Sequence, residues 1–203
     1  MASEIELVDK KVPVRRKPGR WRLSSIIDGR ALRIKLTTAA LTHIGDEKAA
    51  RKEALDILHG AMFRGRMIAQ ERLQQGADGL DTARLLAAVQ DEVLHALYDF
   101  VTTHVFRARN PTEGERLAVF ATGGYGRSVL APSSDIDLLF ITGSDPMSYV
   151  KLGERLIDVI GGVTAEGFIY RVDMRLRPWG RSGPLVTTVD GFAKYLSTHA
   201  RLW

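Results

Sequence analysis

At 203 residues, with a net charge of +5 and no cysteine, the chain has room for one domain or two small ones and excludes disulfide frameworks and thiolate metal sites. No apolar run approaches the roughly 20 residues that span a bilayer, and the N-terminus lacks a signal-peptide core, so a cytosolic protein without membrane contact is expected. The first 35 residues hold ten Lys/Arg against four acids, which leaves the remainder at −1, so the basicity belongs to a solvated tail and no nucleic-acid partner is expected.

Residues 1–33 contain Pro, Arg and Gly without apolar periodicity and read as a basic, flexible leader. From 34 to 113 the pattern is helical. In ARKEALDILHGAMFRGRMIAQERL the apolar residues Ala54, Leu55, Leu58, Met62, Ile68 and Leu73 form an amphipathic stripe, interrupted at Gly60 and Gly65. GLDTARLLAAVQDEVLHALYDFVTTHVF is a cleaner helix, with Asp81 or Thr82 as cap and one face running from Leu85 to Val105. Asn110–Pro111 and Gly114 end it.

The rhythm then changes. LAVFA (117–121), DIDLLFI (135–141) and FIYRVDMRL (168–176) read as strands, and SYVKLGERLIDVIGGV lies between the last two as a helix. VDGFAKYLSTHARLW closes the chain as an amphipathic helix. Strands alternating with helices imply a domain of mixed α and β structure over 114–203, behind a helical region.

The chemistry concentrates in GGYGRSVLAPSSDIDLLF. Residues two apart on a strand share a face, so Asp135 and Asp137 present two carboxylates side by side. Such a pair is tolerable where a cation shares the site, and an oxygen-only donor set suits Mg²⁺. Gly123 and Gly124 end the preceding strand and let backbone N–H groups, with Ser128 and Arg127, approach polyphosphate oxygens. The spacing is neither a Walker loop nor GxGxxG. On the third strand Asp173 shares a face with Arg171, Arg175 and Arg177, as a third metal carboxylate among phosphate-binding arginines would. The plainer alternatives are a polar turn before a strand for Asp135 and Asp137, and ordinary surface ion pairs for Asp173 and the arginines. The five histidines show no metal-ligand spacing.

A strand-ending Gly-Gly followed ten residues later by Asp-Ile-Asp-Leu resembles the polymerase-β-like nucleotidyltransferases. That resemblance implies an α+β fold, a small mixed sheet flanked by helices. More narrowly, residues 79–140 resemble the N-terminal part of bacterial PII uridylyltransferases, which move UMP from UTP to a tyrosine of the PII nitrogen-signal protein. The resemblance implies that Gly123, Gly124, Ser128, Asp135 and Asp137 serve a nucleotide and two Mg²⁺ ions. Residues 165–203, with YRVDMRLRP and RSGPL, resemble instead glutamine synthetase adenylyltransferase, which implies Asp173 as third carboxylate, ATP as nucleotide and glutamine synthetase as acceptor. No His-Asp dipeptide occurs, so deuridylylation and glutamine sensing are expected to lie outside this chain. A non-catalytic nucleotide-binding or interaction domain is the distant alternative.

Overall fold

The structure, a computed structural model, describes residues 19–105, 117–132, 134–143, 149–154, 156–157, 172–173 and 177–199. Three long helices each start on an aspartate whose side chain accepts a first-turn amide, the usual remedy for the unpaired donors of a helix N-terminus. Asp28 accepts from Ala31 at the head of α1 (Gly29–Thr42). Asp46 accepts from Ala49 at the head of α2 (Glu47–Gln74). Asp78 accepts from Leu80 and Asp81 at the head of α3 (Gly79–Phe100), which runs on into a wider π-type turn at Val101–Val105. The cap of α3 is thus Asp78 rather than Asp81 or Thr82. Asp81 lies in the first turn and accepts instead from the Trp21 indole N–H at 3.0 Å.

The three helices pack on one another through Leu32 and Leu36 of α1, Leu58 and Met62 of α2, and Leu85, Leu86, Val89, Val93, Leu97 and Phe100 of α3, all buried. Burying each of these side chains contributes about 1.5–3 kcal/mol. Helix α1 starts ahead of residue 34, where the apolar pattern begins to read as helical. Arg33, counted with the basic leader, is a structural group: its Nε donates to Asp99 of α3 at 2.7 Å, and its Nη1 lies 3.4 Å from Glu92. The Asp99 bond raises the guanidinium pKa further, with burial opposing.

Helix α2 passes Gly60 and Gly65 without a break, correcting the expected interruption. Gly65 is there because α3 lies close against it: a Cβ at this position would stand 2.5 Å from Val89 Cγ1. The backbone hydrogen bonds of a helix do not need a side chain, and the missing Cβ lets the two helices approach.

The sheet is built around β2 (Ile136–Thr142). On one side β1 (Leu117–Thr122) runs antiparallel, in register from Leu117 opposite Thr142 to Thr122 opposite Asp137. On the other side two short parallel strands share β2 end to end. β3 (Val172–Asp173) pairs with Ile136–Asp137, and β4 (Val186–Thr188) pairs with Phe140–Thr142. A single helical turn, α4 (Gly123–Gly126), follows β1, α5 is helical at 149–154 and 156–157, and α6 (Val189–Thr198) follows β4. The fold is mixed α+β. β2 is buried along nearly its whole length, with Ile136, Leu138 and Phe140 within 1% of full burial, which explains its near-continuous apolar run. Of the strand expected over 168–176, Val172 and Asp173 lie within the described residues and the rest lie outside. No helix among the described residues is long and apolar enough to cross a membrane.

Gly65→Ala is expected to lower stability by about 1–3 kcal/mol through overpacking against Val89, outweighing the gain in helix propensity. Gly60→Ala meets nothing closer than the flexible Arg64 guanidinium, at 3.3 Å, and is expected to raise stability by up to about 1 kcal/mol. Thermal melts of the two variants check the pair, since the expected shifts in Tm have opposite signs.

Candidate functional site

Strand register decides which polar groups meet. Thr122 closes β1 opposite Asp137, and Asp137 pairs with Asp173 on the opposite side. Neighbouring strands lie about 4.8 Å apart and residues at one level share a face, so Thr122, Asp137 and Asp173 stand in a row across three strands. Asp135 sits just outside β2, two residues before Asp137. All three aspartates are half-buried, which leaves their carboxylates within reach of solvent.

The chain turns immediately after Thr122. Gly123 has φ of +60°, a left-handed conformation that an L side chain adopts only at a cost, and it packs directly on Asp137: a Cβ would collide with Oδ2. Gly126 also needs its bare Cα, since a Cβ would stand 2.6 Å from the Ala121 carbonyl oxygen. The turn closes on itself through Arg127 N–H and Val129 N–H, both donating to the Gly124 carbonyl, at 3.1 and 3.2 Å, and through Ser128 N–H donating to the Tyr125 carbonyl at 2.8 Å. Ser128 is exposed with φ of 58°, and Arg127 is exposed beside Gly124.

The structure therefore brings Gly123 against Asp137, carries Gly124, Arg127 and Ser128 on the same turn, and sets Asp173 beside Asp137. Arg177 does not face this group through its Nε, which donates to the Gly183 carbonyl at 3.1 Å and closes a turn of its own. Arg175 lies outside the described residues.

Two residues of this region escape a reading by motif. Thr122 directly precedes the glycines, and its buried Oγ1 has no hydrogen-bond partner among the described residues. Such a group stays costly until something donates to it or accepts from it. Tyr125, inside GGYG, is 4% exposed, and its hydroxyl donates to Asp91 of α3 at 2.6 Å. Burial, then the Asp91 carboxylate, holds this phenol well above the ordinary tyrosine pKa, so it stays protonated and a donor. An aromatic residue between glycines was the available signal for Tyr125; its partner is 34 residues away and carried none.

The chemistry of the donor set fits a hard divalent ion: carboxylate and hydroxyl oxygens, an orphaned threonine hydroxyl, and a glycine nook holding one carboxylate in place. Among the described residues no group of three or more His, Asp or Glu side chains stands close enough to hold a metal ion as placed. A row of two carboxylates with a third one step away is thus an open arrangement rather than a closed cage.

The family model for glutamate-ammonia ligase adenylyltransferase matches residues 23–203. A bifunctional uridylyltransferase/uridylyl-removing enzyme of Phenylobacterium zucineum (strain HLK1) is 63% identical over 130 residues, 64% of this chain and 14% of that protein. The protein of the same description from Caulobacter vibrioides (strain NA1000 / CB15N) is 62% identical over the same shares. A bifunctional glutamine synthetase adenylyltransferase/adenylyl-removing enzyme of Rhizobium meliloti (strain 1021) is 35% identical over 167 residues, 75% of this chain and 17% of that protein. The chain thus spans about one seventh of the length of the first two relatives.

Gly123→Ala is expected to lower Tm by roughly 2–8 °C, from a left-handed backbone cost of about 1–2 kcal/mol plus the collision with Asp137. Gly79→Ala, where a Cβ meets open space, is the control and should move Tm little. Scanning calorimetry of both variants checks the comparison.

Proposed function

The chain belongs to the glutamate-ammonia ligase adenylyltransferase family, and from that premise we propose that it transfers a nucleoside monophosphate from an NTP to a protein hydroxyl with release of pyrophosphate. Specifically, UMP moves from UTP to a tyrosine of the PII signal protein. The observation that carries this choice is the 63% identity to a uridylyltransferase, against 35% to an adenylyltransferase.

In this reading Asp135, Asp137 and Asp173 hold Mg²⁺, which when bound neutralises the triphosphate and favours the ionised acceptor oxygen. Asp137 is held by its packing on Gly123 and by β2, buried on both sides of it. The backbone of Gly123 and Gly124 and the Ser128 hydroxyl face the β- and γ-phosphates, and Arg127 and Arg175 supply positive charge near them. The acceptor oxygen forms a bond to the α-phosphorus as the α–β anhydride bond breaks. The protein's contribution is placement and charge neutralisation rather than covalent chemistry. A helical segment over 34–113 and a nucleotidyltransferase segment over 114–203 are part of this proposal, as is a cytosolic site of action.

A second reading has its own support. The family model matched over residues 23–203 is that of an adenylyltransferase, which favours AMP transfer from ATP to glutamine synthetase. Incubating the purified chain with labelled UTP or ATP, with PII or glutamine synthetase as acceptor, decides between them. Label from UTP on PII is expected; label from ATP on glutamine synthetase alone would reverse the choice.

Asp137→Asn and Asp135→Asn are each expected to cut transfer at least about a hundredfold, as loss of a charged stabilising group does, with Tm within a few degrees of the parent. Initial rates of pyrophosphate release measure the effect. Undiminished release in either variant would remove that aspartate from the site.

A further inference from the structure

The turn that carries Gly123, Gly124 and Ser128 is tied to the helical half of the chain at two points. Leu130 N–H, at its end, donates to the Ala83 carbonyl of α3 at 3.1 Å. Tyr125, at its centre, donates to Asp91 of α3 at 2.6 Å. The two anchors are eight residues apart on α3, about two helical turns along one face, so the helix acts as a rail along which the turn is laid. Within the turn the bonds are short-range backbone contacts, and these set its shape but not its position.

The Tyr125–Asp91 bond is the stronger anchor. Its acceptor is a carboxylate, and hydrogen bonds to charged groups exceed neutral ones. It also borders a mostly apolar cavity of about 500 Å³ between α3 and β1, walled by residues that include Leu94, Leu97, Val119 and Phe140. The phenol, 4% exposed, lies against those walls and gives its one hydrogen to Asp91, so the bond holds Tyr125 in one place. Fixing Tyr125 fixes its neighbours Gly124 and Gly126, and through Gly123 the contact with Asp137.

We propose that Asp91 is a positioning residue for nucleotide binding, acting through Tyr125 to hold the 123–128 turn at the height of Asp137. This rests on the reading above that the turn receives the triphosphate. Helix α3 then supports the nucleotide site through Asp91 and the Ala83 carbonyl.

The test compares the full chain with Asp91→Asn, Asp91→Ala, Tyr125→Phe and the Asp91→Ala/Tyr125→Phe double variant. Two readouts are used: titration with Mg²⁺ plus UTP or ATP, and amide hydrogen exchange of residues 123–130 without nucleotide. Asp91→Ala and Tyr125→Phe are each expected to weaken nucleotide binding about tenfold and to speed exchange in the turn. The double variant should be no worse than either single one, because both remove the same bond. Asp91→Asn keeps a carbonyl acceptor for the phenol and should restore binding to within about threefold of the parent. Tyr125→Phe removes one oxygen and keeps the ring, so it carries the test if Asp91→Ala fails to fold. Unchanged affinity in a folded Tyr125→Phe variant overturns the inference, and so does unchanged exchange in the turn. A parent chain that binds neither nucleotide would overturn the functional reading instead, while the exchange data would still decide whether Asp91 positions the turn.

Discussion

The register of one buried strand organises everything near the proposed site. β2 pairs antiparallel with β1 and parallel with β3, and these two registers set Thr122, Asp137 and Asp173 at one level. Side chains on a strand alternate, so a slip of one residue in either pairing would send one member of the row to the opposite face. A slip of β2 is opposed because it would turn Asp137 into the face where Ile136, Leu138 and Phe140 are fully buried. The apolar residues between and after the aspartates are therefore what holds the carboxylates in place. Gly123 adds a second constraint, since its bare Cα is the wall against which Asp137 rests.

That division of labour explains which parts were legible before the structure. DIDLLFI announced a buried strand with polar residues at its mouth, and β2 begins one residue later than the run suggested. The amphipathic face of α3 and of the turn that follows it is readable because nine apolar residues from Leu85 to Val105 fall at helical spacing, and most of them are buried. Helix boundaries were less readable. Asp78, Asp81 and Thr82 are all competent caps, and Asp78 takes the role with an extended backbone while Asp81 meets Trp21, 60 residues away. Gly60 and Gly65 looked like breaks because local propensity counts against glycine in a helix. Tertiary contact reverses the meaning of Gly65, whose hydrogen is what Val89 packs against.

The site shows the same limit more sharply. Gly123, Gly124, Asp135 and Asp137 belong to one continuous stretch, and their nearness follows from a strand, a turn and a strand in succession. Asp173 comes from further along the chain, so its place beside Asp137 depends on a parallel pairing that residue spacing does not encode. Arg177 sits on the motif-bearing segment, yet its Nε serves the Gly183 carbonyl. Asp91 carries no motif at all, being one acid among several on an amphipathic helix. What singles it out is a buried phenol that needs an acceptor.

The two family resemblances meet physically at β2. The motifs read as uridylyltransferase-like over 79–140 take in β1 and most of β2, those read as adenylyltransferase-like over 165–203 take in β3 and β4, and the adenylyltransferase family model spans all four strands. β2 joins them, pairing with β1 along one edge and with β3 and β4 along the other. Sheet hydrogen bonds are made by backbone groups and ask little of side-chain identity beyond a matching apolar face. Strands of different sequence can therefore share one sheet, provided Asp137 and Asp173 stay at one level. In the proposed reading the shared elements, a glycine turn and aspartates at one register, serve the phosphates and the ion, which UTP and ATP have in common. Choice of base and of acceptor protein then falls to residues away from this row, and a chain can combine the two resemblances without conflict in its chemistry.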